Sequence, residues 1–305
     1  MTFFQKTSYF LLSALLRLLG FMPLGVHRFL GRILGRLAGS VIKYRRREVE
    51  ANLLLAFPEK SPEERDQIRK DYYRHLGTII CEAIWFGACT RPQRLARANT
   101  GDVQGQEILN EYYSQGKSVV VLTSHTGNFE MYGGLFVFAA QSEPLIVPEN
   151  NVCVVFRALS SPVWNEIIKK NRIAPLLDKK HYDAMVETNI ALRYALKRKG
   201  DAMLFNFITD QYPYSEYANA KVTFFGKQTI SMIGGITLAR KYSMPIVYMY
   251  MAQRPQGGYT MRFSKMYDDP SAVDTQQIAD EYYRRLEDDI RSQPANYLWS
   301  HRRWK

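Results

Sequence analysis

His125 and Glu130 stand five residues apart in the stretch Ser124-His125-Thr126-Gly127-Asn128-Phe129-Glu130, and by type they are well suited to proton transfer. A neutral imidazole accepts a proton near pH 7, and a carboxylate bonded to its other nitrogen fixes the tautomer. On a continuous helix the two would lie about 140° out of register. They can meet only if the chain between them turns, which Gly127 permits. A helix beginning at Asn128 would add free backbone N–H groups and a partial positive charge, suited to a phosphate or a developing oxyanion. Residue type alone leaves a second reading open, in which His125 is a structural hydrogen-bonder at a strand end.

Other candidates are read in the same way. Asp210 and Gln211 close a strongly apolar run, where a polar pair either faces a cleft or caps a loop. Asn128 either braces the histidine loop or touches substrate. Ser124 adjoins His125, but no G-x-S-x-G elbow surrounds it, so a serine hydrolase is not indicated. Gly116-Lys117-Ser118 looks like the end of a phosphate-binding loop. Glu111 occupies the place of its first glycine, however, and the apolar run follows the motif when it should precede it. The five histidines and three cysteines lack ligand spacing, so neither a metal nor a redox dithiol is expected, and no cofactor. Cysteine usage fits a reducing, cytoplasm-facing location.

The elements that must hold these residues follow from patterning. Ser61-Pro62-Glu63-Glu64 combines a cap, a proline at the first helical position and a capping-box glutamate, which predicts a helix running to about Gly87. Beyond it, apolar runs at 118–123, 144–147, 173–177, 202–208, 245–251 and 259–263 alternate with predicted helices at 106–115, 128–140, 163–170, 182–199, 231–242 and 275–291. Such alternation predicts an α/β fold with a largely parallel sheet flanked by helices. In sheets of this kind, ligands bind beyond the carboxyl ends of strands, which is where His125 falls.

The 305 residues carry a net charge of +12, but the excess is concentrated at one end. Residues 1–47 hold nine basic side chains and no acidic one, which leaves +3 for the remaining 258. Within that segment, 8–26 is nearly uncharged and close to the length that crosses a hydrocarbon core, although Arg17 and Pro23 weaken that reading and leave an interfacial or tilted helix as the close alternative. Arg28, Arg32 and Arg36 then recur every four residues beside an apolar stripe of Leu30, Ile33, Leu34, Leu37 and Val41, the pattern of a basic amphipathic helix lying on anionic lipid. Gly31, Gly35 and Gly39 would permit close helix packing. The positive-inside tendency places the body in the cytoplasm. Domain organisation is therefore expected as a membrane-spanning or interfacial segment at 1–47 and an α/β domain with a helical annex at 48–305.

In its motifs the chain resembles the lipid A late acyltransferases of the lysophospholipid acyltransferase superfamily. Ser124–Glu130 is similar to that family's H-x-x-x-x-E signature, and 52–65, the run Val154-Val155-Phe156-Arg157-Ala158-Leu159, Thr209-Asp210-Gln211, 221–226 and 297–305 resemble further motifs in the same order. The resemblance spans nearly the whole chain. It implies a glycerolipid acyltransferase-like fold at the bacterial inner membrane, with an acyl-carrier-protein thioester as donor. The implied acceptor is a hydroxyl of a phosphorylated glycolipid, a lipid A precursor. It also implies His125 as general base with Glu130 as its partner, no acyl-enzyme, and Arg157 at a phosphate or the thioester. The terminal Trp299-Ser300-His301-Arg302-Arg303-Trp304-Lys305 suits either headgroup contact through Arg302 and Arg303 or a structural latch. Alternatives are the same chemistry on another glycolipid or an aminolipid and, more remotely, a non-catalytic basic membrane-surface or nucleic-acid-binding protein. No RNP-like aromatic pattern supports nucleic acid.

Overall fold

The run Val119–Thr123 is buried along its whole length, as a strand covered on both faces must be. It lies near the middle of a seven-stranded sheet in a computed structural model that describes residues 1–213 and 219–304. Lys305, the last residue of the terminal motif, lies outside the described residues. The chain opens with helices α1 (Phe3–Gly20), α2 (Leu24–Ser40), α3 (Arg46–Ala56), α4 (Pro62–Gly87) and α5 (Pro92–Ala98). Strands and helices then alternate: β1 (Gly101–Gln104), α6 (Gln106–Ser114), β2 (Val119–Thr123), α7 (Leu135–Ala139), β3 (Val152–Phe156), α8 (Pro162–Arg172), β4 (Met185–Glu187), α9 (Ala191–Lys197) and β5 (Leu204–Ile208). A hairpin of β6 (Asn219–Phe224) and β7 (Lys227–Met232) follows, then α10 (Gly234–Lys241), β8 (Ile246–Gln253), β9 (Tyr259–Tyr267) and α11 (Thr275–Ser292).

The sheet order is β1-β9-β8-β2-β5-β3-β4. Strands β8, β2, β5, β3 and β4 run parallel, while β9 is antiparallel to β8 and carries β1 parallel to itself. This is the α/β fold with a mostly parallel sheet that the alternation predicts. Two expected strands do not form. The run 144–147 lies between Pro144 and Pro148, and 173–177 contains Pro175; both are irregular, because proline supplies no N–H to a ladder. Strand β3 takes a place in the sheet, and β4 arises inside the stretch 182–199 expected as helix. The capping box of α4 forms as expected, with Ser61 and Glu64 bonding reciprocally, and the helix ends at Gly87.

At the N-terminus, the apolar stretch 8–26 is not one helix. It breaks before Pro23, and α1 and α2 meet at 113°. No single helix among the described residues is long and apolar enough to cross a membrane. The glycine row of α2 packs directly on α4: a Cβ at Gly35 would fall 2.0 Å from the Tyr73 carbonyl oxygen, and one at Gly31 would fall 2.7 Å from that of Gly77. Leu30, Ile33, Leu34, Leu37 and Val41, expected as an apolar stripe, therefore face outward and are exposed.

Helix α4 also buries His75, and burial pushes its imidazole down to about 4 against the opposing pull of a bond to the Gly127 backbone. The folded value lies below the unfolded one of roughly 6.5, so the unfolded chain takes up the proton first. The contribution is full above about pH 6.5 and declines as pH falls toward 4. A drop from pH 7.5 to 5 is expected to cost about 2 kcal/mol of stability through this residue. Urea unfolding at the two pH values should show it, and His75→Leu should flatten the difference; an unchanged slope in that variant would remove the assignment.

Candidate functional site

Strands β2 and β5 are parallel neighbours with Thr123 opposite Ile208. Two residues beyond each of these ends stand His125 and Asp210, and the register brings them together: His125 Nδ1 lies 2.8 Å from Asp210 Oδ1. Asp210 is 2% exposed. Burial by itself pushes its carboxyl up, but the His125 imidazole outweighs this and holds it below the ordinary carboxylate value. Asp210 is therefore an anion that accepts the Nδ1 proton. Gln211 Nε2 lies 3.2 Å from His125 Nε2 and donates to it, which marks that nitrogen as the one with a free lone pair. Phe129 packs its ring edgewise on the imidazole, with centroids 4.8 Å apart.

Glu130 is bonded to Arg172 in this structure and not to His125. Residues Phe129–Gly134 form a 3₁₀ turn where a helix from 128 to 140 was expected, and only Leu135–Ala139 is α-helical. Gly133 in that turn lies against the end of α8, where a Cβ would fall 1.7 Å from the Arg172 carbonyl oxygen. This close approach lets the Arg172 guanidinium reach Glu130, giving Nε and Nη2 each 2.7 Å from a carboxylate oxygen. The turn at Gly127 does occur, with φ +60° and the site of a Cβ only 2.6 Å from Met251 Cγ. It directs Glu130 toward α8, and the vacant position beside the imidazole is taken by the neighbouring strand.

An apolar pocket opens between the sheet and the 3₁₀ turn. Its walls include Phe129, Leu135, Val152, Val154, Val155, Met249 and Met251, with Ser124, Thr126, Arg172, Tyr182 and the Tyr132–Asn206 hydrogen-bonded pair among its polar groups. Arg172 is thus both the clamp on Glu130 and part of the pocket wall. Sequence reasoning missed it. It lies in the last turn of a helix otherwise notable only for its lysines, and the pairing depends on a glycine contact invisible in the sequence.

Several expected binding residues have structural partners. Arg28, expected at headgroups, turns inward and places Nε 2.7 Å from Glu82 Oε1. Glu82, 1% exposed, also accepts from Asn128 Nδ2 at 3.0 Å and from the Tyr259 hydroxyl at 2.7 Å. Asn128 is fully buried and braces the loop after His125. Arg303 is 1% exposed and donates to Thr229, to the Ile230 carbonyl and to the Tyr283 hydroxyl, so it is part of the core. Arg302 is exposed but paired with Glu48. Trp299 is buried and Trp304 stacks on Phe224, and Leu298 N–H donates to the His125 carbonyl. The C-terminal segment is a latch on the site. Arg32 and Arg36 are exposed, and Arg157 is exposed just after β3.

Comparison with known proteins identifies the family. Residues 2–305 match the family model for bacterial lipid A biosynthesis acyltransferases. A lipid A biosynthesis palmitoleoyltransferase of Escherichia coli (strain K12) is 25% identical over 93% of this chain and 86% of its own length. A lipid A biosynthesis lauroyltransferase of the same organism is 25% identical over 93% and 87%. Among solved structures, the 1-acyl-sn-glycerophosphate acyltransferase of Thermotoga maritima aligns over 93% of this chain and 99% of its own at 14% identity, with a TM-score of 0.36, a likeness too distant to carry an argument. With its whole length matched, the chain belongs to the bacterial lipid A biosynthesis acyltransferase family and is an O-acyltransferase.

Proposed function

We propose that the chain moves a fatty acyl group from an acyl-carrier-protein thioester directly to a hydroxyl of a lipid A precursor, with His125 as the base. The observation that carries this reading is the Asp210–His125–Gln211 alignment, which leaves Nε2 as the proton acceptor. The acceptor hydroxyl displaces the Gln211 amide and gives its proton to Nε2 as its oxygen bonds to the thioester carbonyl carbon. Asp210 stabilises the imidazolium. Collapse breaks the C–S bond, and the imidazolium returns the proton to the departing thiolate. The acyl chain occupies the apolar pocket, and Arg172, held by Glu130, faces the carbonyl oxygen as negative charge develops. Direct transfer is supported by the nucleophiles: Ser124 Oγ bonds to Thr126 Oγ1, and burial pushes the thiols of Cys89 and Cys153 up to about 12.

The exposed apolar side chains of α1 and α2, with Arg17, Arg32 and Arg36 among them, support seating of this end in the interface of the inner membrane, the site facing the cytoplasm. The test is product mass after incubation with acyl-carrier-protein thioester and a tetra-acylated, Kdo-bearing precursor. One added acyl group is expected. Transfer only to another glycolipid or an aminolipid would overturn the acceptor assignment while keeping the chemistry.

A further inference from the structure

A second opening, a crevice of about 360 Å³, lies between α1, α4 and α8 and differs in chemistry from the acyl pocket. Three cations line it, Arg17, Lys170 and Lys179, together with the hydroxyl-bearing Tyr9, Ser13 and Thr90. Among the described residues, Arg17 and Lys179 form no ion pair with a carboxylate, and Lys170 has one acid nearby, Glu166 at 3.4 Å. The crevice therefore carries a net positive charge at its polar positions, set among apolar walls of Leu16, Ile84, Ile167 and Ile173. Two of the cations are held in place. Lys179 Nζ donates to the Thr90 and Ala174 carbonyls at 2.9 and 2.8 Å, which uses two of its three protons. Lys170 Nζ donates to the Tyr9 hydroxyl at 2.7 Å.

We infer that this crevice seats a phosphomonoester of the lipid acceptor, so that Arg17, Lys170 and Lys179 position its sugar hydroxyl for His125; the inference rests on the function proposed above. A phosphate dianion can answer several cationic donors that line one crevice with a single group. Position agrees with chemistry. Ile173 lines both the crevice and the acyl pocket, next to Arg172. On the other side of α1, Leu11, Leu15 and Leu18 are exposed, which places the crevice at headgroup depth when that face meets lipid. The competing account is that Arg17 and Lys170, each in the last turn of its helix, merely offset helix dipoles. That account predicts a change in stability and no preference for phosphate.

The experiment uses the full chain in detergent with two acceptors, the tetra-acylated precursor carrying its phosphomonoesters and the same lipid after phosphatase treatment. Binding is measured without donor, and turnover with it. Wild type should bind the phosphorylated acceptor more tightly. Arg17→Gln with Lys179→Gln should weaken that binding and raise its KM by roughly ten- to thirty-fold, with the loss confined to the phosphorylated acceptor and Tm unchanged. Arg17→Lys should restore most of the loss. Equal wild-type binding of the two lipids, a loss shared by both acceptors, or full competition by phosphatidylglycerol vesicles would each overturn the inference. The first measurement needs only wild type, so a misfolded variant does not protect the idea. Phosphate-dependent binding without any acyl transfer would leave the crevice assigned and defeat the proposed function instead.

Discussion

Asp210→Asn is expected to lower kcat by roughly 10²- to 10⁴-fold with little change in donor KM, a loss similar to that of His125→Ala. The carboxylate has two jobs in the proposed mechanism that an amide cannot do together: it accepts the Nδ1 proton at 2.8 Å, and it would stabilise an imidazolium formed in the transition state. Because the two residues act as a unit, the double variant should be barely slower than either single one. Steady-state rates with thioester donor, alongside circular dichroism and melting of each variant, settle the point. If folded Asp210→Asn keeps near-native turnover, the imidazole is oriented by something else and the mechanism has to be redrawn.

The second large effect is expected at Arg172. Arg172→Ala removes a guanidinium from the pocket wall and leaves Glu130 without its bidentate partner. Loss of one preorganised group that stabilises a developing oxyanion costs about 10²- to 10³-fold in kcat. Glu130→Ala should cost less, since the arginine remains but is no longer held. A double-mutant cycle separates the two possible partnerships of Glu130. Coupling between Glu130 and Arg172, with near additivity between Glu130 and His125, is the expected pattern. The reverse pattern would show that Glu130 serves the imidazole during turnover, as its place in the motif suggests.

What could be read in advance follows from range along the chain. Helix α4 was legible to its last residue because its start is a local device, Ser61 with Glu64, and its length is a local pattern. His125 was legible because it follows an unmistakably buried strand. Glu130 was named as its partner through the family resemblance, whereas its Nδ1 is hydrogen-bonded to Asp210, 85 positions away. Only the pairing of β2 with β5 shows that residues two beyond each strand meet. Arg28 and Arg303 were read as surface charge because periodicity and composition say nothing about a buried glutamate on another helix or a tyrosine on α11. The strands expected at 144–147 and 173–177 failed for a local reason, the prolines at 144, 148 and 175, which outweigh apolar composition.

The glycine face of α2 has a consequence for any attempt to rebuild this protein. Where a helix is held by interdigitating side chains, an alternative greasy helix can often repack in its place. Here the contact is main chain against main chain, from Gly31 and Gly35 to Tyr73, Gly77 and Thr78, and no other side chain fits. Through Arg28 and Glu82 the same helix reaches Asn128, next to Phe129 and two residues before Glu130. The N-terminal segment is therefore not an interchangeable tether. A version with residues 1–47 removed, or with a borrowed anchor in their place, would lose a wall of the catalytic body.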